Sequence, residues 1–162
     1  MKSSIQFIFN NSELGAGTRG ASLGSNAILV AARSKSSLLF KNRSIQTVKN
    51  FNELLDRENT FPFAKHIDGM LDVFEATSKE ISNALAEKKF PLIIAGDHCS
   101  AGGTIKGIQS ANPGKRIGVV WLDAHSDLHS PHTSPSGNSF TTFNVSSFFE
   151  YPQYYKFLAI SA

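Results

Sequence analysis

The chain has 162 residues, enough for one domain with a hydrophobic core and short for two. Hydrophobic residues make up 41% and charged residues 18%, proportions that exclude disordered and fibrous classes. The formal net charge is only +3, and the basic residues are scattered, so no nucleic-acid partner is indicated. The absence of a bilayer-length apolar run or secretory signal and the single cysteine, Cys99, predict a cytoplasmic protein with no membrane segment.

Alternating helix and strand patterns predict an α/β fold. The best-defined helix spans residues 67–85, where apolar side chains recur at steps of three, four, seven and four residues. In chain order, the predicted elements are a strand at 5–9, a loop at 15–20, a helix at 26–32, a short strand at 38–40, the helix at 67–85, a strand at 92–95, a helix at 100–110 and a strand at 117–122.

The last two predicted strands are short, wholly apolar runs bounded by Gly and Pro. Such runs are typical of strands buried on both faces of a parallel sheet. With the helix between them they predict a β-α-β unit, whose crossover makes the two strands parallel.

Candidate metal ligands follow these two runs. His98 comes shortly after the first, and Asp123, His125 and Asp127 follow the second directly. The carboxyl ends of parallel strands face one crevice, and alternate side chains of an extended segment point the same way, so we expect these four side chains to converge. Carboxylate and imidazole ligands without a thiolate suit Mn²⁺ or a similar ion better than structural zinc.

Simpler interpretations of these motifs exist. Either motif alone, Gly96-Asp97-His98 or the DxHxD pattern from Asp123 to Asp127, is more often structural, for example a solvated turn. Their joint occurrence after consecutive predicted strands favours a metal site. Cys99, beside His98, is a possible thiolate ligand, although a free cysteine more often behaves as a small buried apolar residue. A phosphate site at the start of the helix at 100–110 is disfavoured because the P-loop pattern is missing.

Three stretches carry a family resemblance: LIIAGDHCSAGGTIKGI at 92–108, VVWLDAHSDLHSPHTSPSGN at 119–138 and, more weakly, GAGTRGASLGSNAIL at 15–29. They resemble the ureohydrolase family, which includes arginase, agmatinase and formimidoylglutamase, and the TSPSGN segment is most similar to arginases. The resemblance implies a three-layer α/β fold with a mainly parallel central sheet, incomplete in this chain.

The resemblance also implies the chemistry. Two Mn²⁺ ions share a bridging hydroxide that hydrolyses a small guanidinium substrate, giving urea and ornithine from arginine, in a protein expected to be a homo-oligomer. By resemblance, His98 and Asp127 bind one ion, His125 binds the other, and Asp123 bridges them, with Asp127 also taken as catalytic. The implied substrate-binding residues are His129, Ser136 and Asn138, and for His129 an ordinary loop histidine remains an equal alternative.

Two departures from the arginase pattern weigh against activity. Phe140 stands near the place of a proton-shuttling His, and Phe cannot transfer a proton. Family members are roughly twice as long and carry a second-half SxDxD motif, whereas no Asp follows Asp127 here. Asp123 and Asp127 would balance only half the charge of two dications, so we expect at most one weakly held ion. The alternatives are a formimidoylglutamase-type hydrolase, or a non-catalytic remnant that binds one metal or a full-length homologue.

The end of the chain differs in composition from the rest. We therefore divide it into residues 1–138, the N-terminal part of an arginase-like domain, and residues 139–162, a divergent segment rich in Phe and Tyr. A frameshift or premature stop would produce such a change. A genuine diverged strand and helix, with residues 157–160 as a core strand, is the alternative.

Overall fold

The structure is a computed structural model that describes residues 4–59, 61–62 and 64–123. Within these residues three strands and three α-helices alternate, joined by loops and short 3-10 turns. The strands are β1 (Ile5–Asn10), β2 (Ile45–Val48) and β3 (Phe90–Ala95). The helices are α1 (Gly24–Ser34), α2 (Ile67–Ala86) and α3 (Ala101–Ser110).

The three strands form a parallel sheet in the order β2-β1-β3. Phe7 of β1 lies in register with Ile45 of β2 on one side and with Leu92 of β3 on the other. This sheet and the helices that connect its strands confirm the predicted α/β class, and the elements predicted at 5–9, 26–32, 67–85, 92–95 and 100–110 are all present.

The core lies between this sheet and the pair α2 and α3. Ile8 and Val48 of the sheet pack against Ile81 of α2, and all three are almost fully buried. A second apolar cluster continues toward the carboxyl ends of the strands, where Met70 of α2 meets Cys99. No helix in the described ranges is both long and apolar enough to cross a membrane.

The prediction of a short strand at residues 38–40 is wrong. These residues form a turn, in which the N–H of Lys41 donates to the carbonyl of Leu38, and β2 begins later, at Ile45. The Phe40 ring lies 4.5 Å from the Phe7 ring between centroids, so the turn packs an aromatic side chain against β1 without adding a strand. Apolar composition alone cannot distinguish these two outcomes.

The strand predicted at residues 117–122 is also not formed. Trp121 alone makes an isolated bridge, and side chains along this segment alternate between partly buried and exposed, with Val120 75% and Leu122 74% exposed. A cavity of about 500 Å³ is lined by β3, α3 and residues 117–123. An apolar run becomes a strand only when a neighbouring backbone completes its ladder, and among the described residues the ladders join only β1, β2 and β3.

Candidate metal centre

The site lies at the carboxyl end of β3, where the backbone turns sharply. The N–H of Gly96 donates to the carbonyl of Asn10 at 2.9 Å, which extends the β1–β3 pairing by one residue. A Cβ atom on Gly96 would lie 2.5 Å from the carbonyl oxygen of Ser12. Only glycine therefore allows the two chains to approach so closely beside the site.

His98 and Asp123 are brought together in this site. Nδ1 of His98 lies 3.8 Å from Oδ2 of Asp123, and their side chains are 39% and 21% exposed. Bonds from a metal to such ligands are about 2.0–2.2 Å, so one ion can reach two atoms up to about 4 Å apart. The two described members of the predicted ligand set are thus spaced for one shared ion and remain accessible from solvent.

Trp121 forms part of the same cavity wall. Its ring meets the His98 ring edge-to-face, with centroids 6.2 Å apart. Ile117, Val119 and Trp121 are partly buried on the side of the segment that also carries Asp123. Although these residues form no strand, their side chains alternate in burial, and Asp123 lies on the partly buried side, facing His98.

Asp97 is held by two backbone amides. Its Oδ2 accepts from the N–H of Gly15 at 3.1 Å, and its Oδ1 accepts from the N–H of Ser100 at 3.2 Å. Burial raises the pKa of the Asp97 carboxyl above its usual value, and the amide hydrogen bonds oppose this rise only in part. The sequence places Asp97 beside the candidate ligand His98 and assigns it no role, although Asp is a preferred N-cap residue and here caps the 3-10 turn His98–Ser100.

Cys99 is fully buried, and its Sγ lies 3.8 Å from Sδ of Met70. Burial, followed by the nearby Asp97 charge, raises the pKa of the Cys99 thiol well above its ordinary value. The interpretation of Cys99 as a small buried residue is therefore confirmed, and a thiolate ligand is not favoured.

A buried carboxylate organises the glycine-rich loop next to the site. Glu13 is 2% exposed, and its Oε1 accepts from the N–H groups of Gly20 at 2.6 Å and Ser22 at 2.8 Å. Burial would raise the pKa of Glu13, but these hydrogen bonds and the Arg19 charge together hold it below its ordinary value. The sequence indicated only a loop here, because the hydrogen-bond partners of a Glu in a loop cannot be read from its position.

The remaining predicted site residues lie outside the described ranges. These are His125, Asp127, His129, Ser136 and Asn138, together with Phe140 and the boundary at residue 138. In the part of the chain that the structure describes, no cluster of three or more His, Cys, Asp or Glu side chains could hold a metal ion. The four-ligand set stays a prediction, of which His98 and Asp123 form the described half.

Comparisons with known proteins agree with this architecture. The profile of the Arginase family matches residues 7–150. An arginase of Brevibacillus brevis is 35% identical over 130 residues, covering 78% of this chain and 42% of the relative. The crystal structure of an arginase from Bacillus subtilis superposes with a TM-score of 0.67 at 26% identity, covering 98% of this chain and 48% of that one.

A formiminoglutamase of Trypanosoma cruzi, solved with Mn²⁺, superposes with a TM-score of 0.64 at 18% identity, covering 98% of this chain and 52% of that one, a likeness of fold alone. The chain thus spans about half the length of the relatives it matches. Because the family profile covers most of the 162 residues, this protein belongs to the arginase family.

Proposed function

We propose that this chain supplies the first half of a manganese-dependent amidinohydrolase site, which in complete form hydrolyses the guanidinium group of arginine to urea and ornithine. The observation that supports the proposal best is the 3.8 Å separation of His98 Nδ1 and Asp123 Oδ2 at the carboxyl end of β3. This crevice is where open parallel sheets place their ligands.

The donor set fits Mn²⁺. One imidazole nitrogen and one carboxylate oxygen are described, and the proposed set adds His125 and Asp127, all ligands that suit such an ion. Bound ions would act as Lewis acids, which make a water molecule nucleophilic near neutral pH and polarise the substrate. His98 and Asp127 would hold one ion, His125 the other, and Asp123 both.

The protein's own side chains would supply negative charge and bind the substrate. The Asp123 carboxylate would supply negative charge to both metal positions, and Asp127, proposed as catalytic, would add a second carboxylate to the site. Ser136 and Asn138 would bind the amino-acid part of the substrate, and His129 its carboxylate. The cavity of about 500 Å³ beside His98 is large enough to admit a small molecule.

A second candidate is a formimidoylglutamase-type hydrolase. It is favoured by Phe140, because the family's formimidoylglutamases tend to have a Phe near this place.

A third candidate is a metal-binding protein without activity, favoured by the charge imbalance between two dications and the carboxylates of Asp123 and Asp127. We propose that the isolated 162-residue chain has little or no activity for this reason.

Steady-state assays of the purified chain with Mn²⁺ separate these candidates. Urea release from arginine and formamide release from formimidoylglutamate are measured in parallel, with His98→Ala as the metal-site control and a complete arginase as the reference. Urea release that is slow, depends on Mn²⁺ and disappears in the control supports the arginase proposal. Formamide release alone supports the second candidate, and Mn²⁺ binding without either product supports the third. Urea turnover within tenfold of the complete arginase contradicts the low activity proposed for the isolated chain.

A further inference from the structure

The carboxylate of Asp97 joins two segments that are distant in sequence. Oδ2 accepts from the N–H of Gly15 in the glycine-rich loop, and Oδ1 accepts from the N–H of Ser100 in the 3-10 turn His98–Ser100. Gly15 and Asp97 are 82 residues apart in the chain. One side chain thus satisfies a backbone donor on each side of this contact.

The loop side of the contact is itself held in place. Oε1 of Glu13 accepts from two amides farther along the loop, those of Gly20 and Ser22. A Cβ atom on Gly15 would lie 2.6 Å from both Cβ and Sγ of Cys99, so the loop backbone packs directly on the turn. The loop therefore presents the Gly15 N–H to Asp97 from a constrained position.

The 3-10 turn His98–Ser100 determines the direction in which the His98 side chain projects. Asp97 is extended, with φ −142° and ψ 160°, and its carbonyl accepts from the hydroxyl of Ser100 at 2.8 Å. His98 is the first residue of the turn that Asp97 caps. Its imidazole then meets Trp121 edge-to-face and places Nδ1 opposite Asp123. A change in the Asp97 contacts would alter the backbone from which this imidazole projects.

We propose that Asp97 is a positioning residue for the His98 imidazole, because its carboxylate ties the turn that begins with His98 to the Glu13-anchored loop. Asp97 does not need to touch a metal ion or substrate for this role. The consequence for metal binding rests on the proposed function, whereas the consequence for the orientation of His98 does not.

The test variant is Asp97→Asn, which keeps the shape of the side chain. An amide has one acceptor oxygen, so one of the two N–H groups of Gly15 and Ser100 must then face an NH₂ group. Ser37→Ala is the matched control, because the Ser37 hydroxyl accepts from the Leu39 N–H at 3.2 Å in an exposed turn. Ile81→Val, a mild core change in α2, controls for loss of global stability.

The first measurement uses the metal-free chain. We expect Asp97→Asn to speed hydrogen exchange at the Gly15 or Ser100 amide by about tenfold or more, since the variant removes a direct hydrogen bond to one of them. We also expect the nuclear Overhauser effect between the His98 and Trp121 rings to fall by more than half, with the His98 signals assigned from His98→Gln. Both controls should leave this effect unchanged. An unaltered ring-to-ring effect in Asp97→Asn, or an equal loss in Ile81→Val, would overturn the proposal.

The second measurement is Mn²⁺ affinity by electron paramagnetic resonance. Loss of a group that orients a metal ligand typically weakens metal binding by about 10–100-fold, and we expect this range for Asp97→Asn. Binding equal to that of wild type would overturn the positioning role even if the amides exchange faster. If the wild-type chain binds no Mn²⁺, the proposed metal site fails in this chain, and the ring-to-ring measurement alone decides the role of Asp97.

Discussion

Gly107 of α3 lies directly against Ile81 of α2, and a Cβ atom on Gly107 would be 2.6 Å from Ile81 Cβ. The Ser78 carbonyl oxygen would be 2.7 Å away, so neither neighbour can yield without moving α2. Glycine at this position sets how closely the two helices approach, and this distance in turn places the start of α3 beside the candidate site.

Gly107→Ala should therefore destabilise the protein. Overpacking costs about 1–3 kcal/mol, and a clash with both a backbone oxygen and a Cβ atom should fall in the upper part of that range, above the roughly 1 kcal/mol gained in helix propensity. Urea unfolding followed by circular dichroism measures the difference. Gly24→Ala is the control, because nothing lies within 4 Å of its Cβ position and its backbone is helical. Equal or greater stability of Gly107→Ala would show that the helices can separate without cost.

Ile81→Ala should lower the free energy of unfolding by about 2–5 kcal/mol, since Ile81 is 0% exposed and packs on Ile8 and Val48. Leu71→Ala on the same helix removes a side chain that is 53% exposed, and should change stability by less than about 0.5 kcal/mol. Similar losses for the two variants would mean that the face of α2 toward the sheet is not the core.

Glu13→Gln should destabilise the protein in a pH-dependent way. The folded state lowers the pKa of Glu13 below its ordinary value of 4.5, so the ionised carboxylate stabilises the fold above about pH 4.5. This contribution is lost as the pH falls through the lower, folded-state pKa. Gln still offers an acceptor oxygen to both N–H groups, so we expect the variant to lose only the part that depends on charge, about 1 kcal/mol at pH 7 and much less at pH 3.

Chemical denaturation at both pH values measures the effect of Glu13. Glu53→Gln, which changes an exposed carboxylate in the 3-10 turn Asn52–Asp56, provides the comparison and should show little change at either pH. A Glu13→Gln loss that is the same at pH 7 and pH 3 would contradict stabilisation by the ionised carboxylate.

Trp121 should report Mn²⁺ binding through its fluorescence. It is the only Trp in the chain and lies beside His98, so a paramagnetic ion held by His98 and Asp123 should quench its emission, whereas Mg²⁺ should not. His98→Ala and Asp123→Ala should each weaken the Mn²⁺ dependence of this quenching by at least about tenfold, because each removes a proposed ligand.

His66→Ala is the matched control for the fluorescence titration, because it removes a histidine at the start of α2, which does not line the cavity beside Trp121. Its titration curve should overlay that of wild type. Quenching that survives in His98→Ala with unchanged midpoint would place the ion elsewhere.

Local sequence patterns predicted most of the elements because their causes are local. Apolar spacing along residues 67–85 defines a helix face before any partner is known, and the run at 92–95 marks β3. The motifs around His98 and Asp123 indicated a shared site, and the structure brings these two residues together.

The sequence by itself thus determined the α/β class, the positions of α2 and β3, and the family to which the chain belongs. Only the tertiary structure decided that residues 117–122 line a cavity and form no ladder with the strands it describes, and that Asp97 joins Gly15 to the turn of His98. The physical reason is distance along the chain. A helix face depends on neighbours three or four residues away. A strand ladder, or a contact between residues 82 positions apart, depends on a partner that no local pattern specifies.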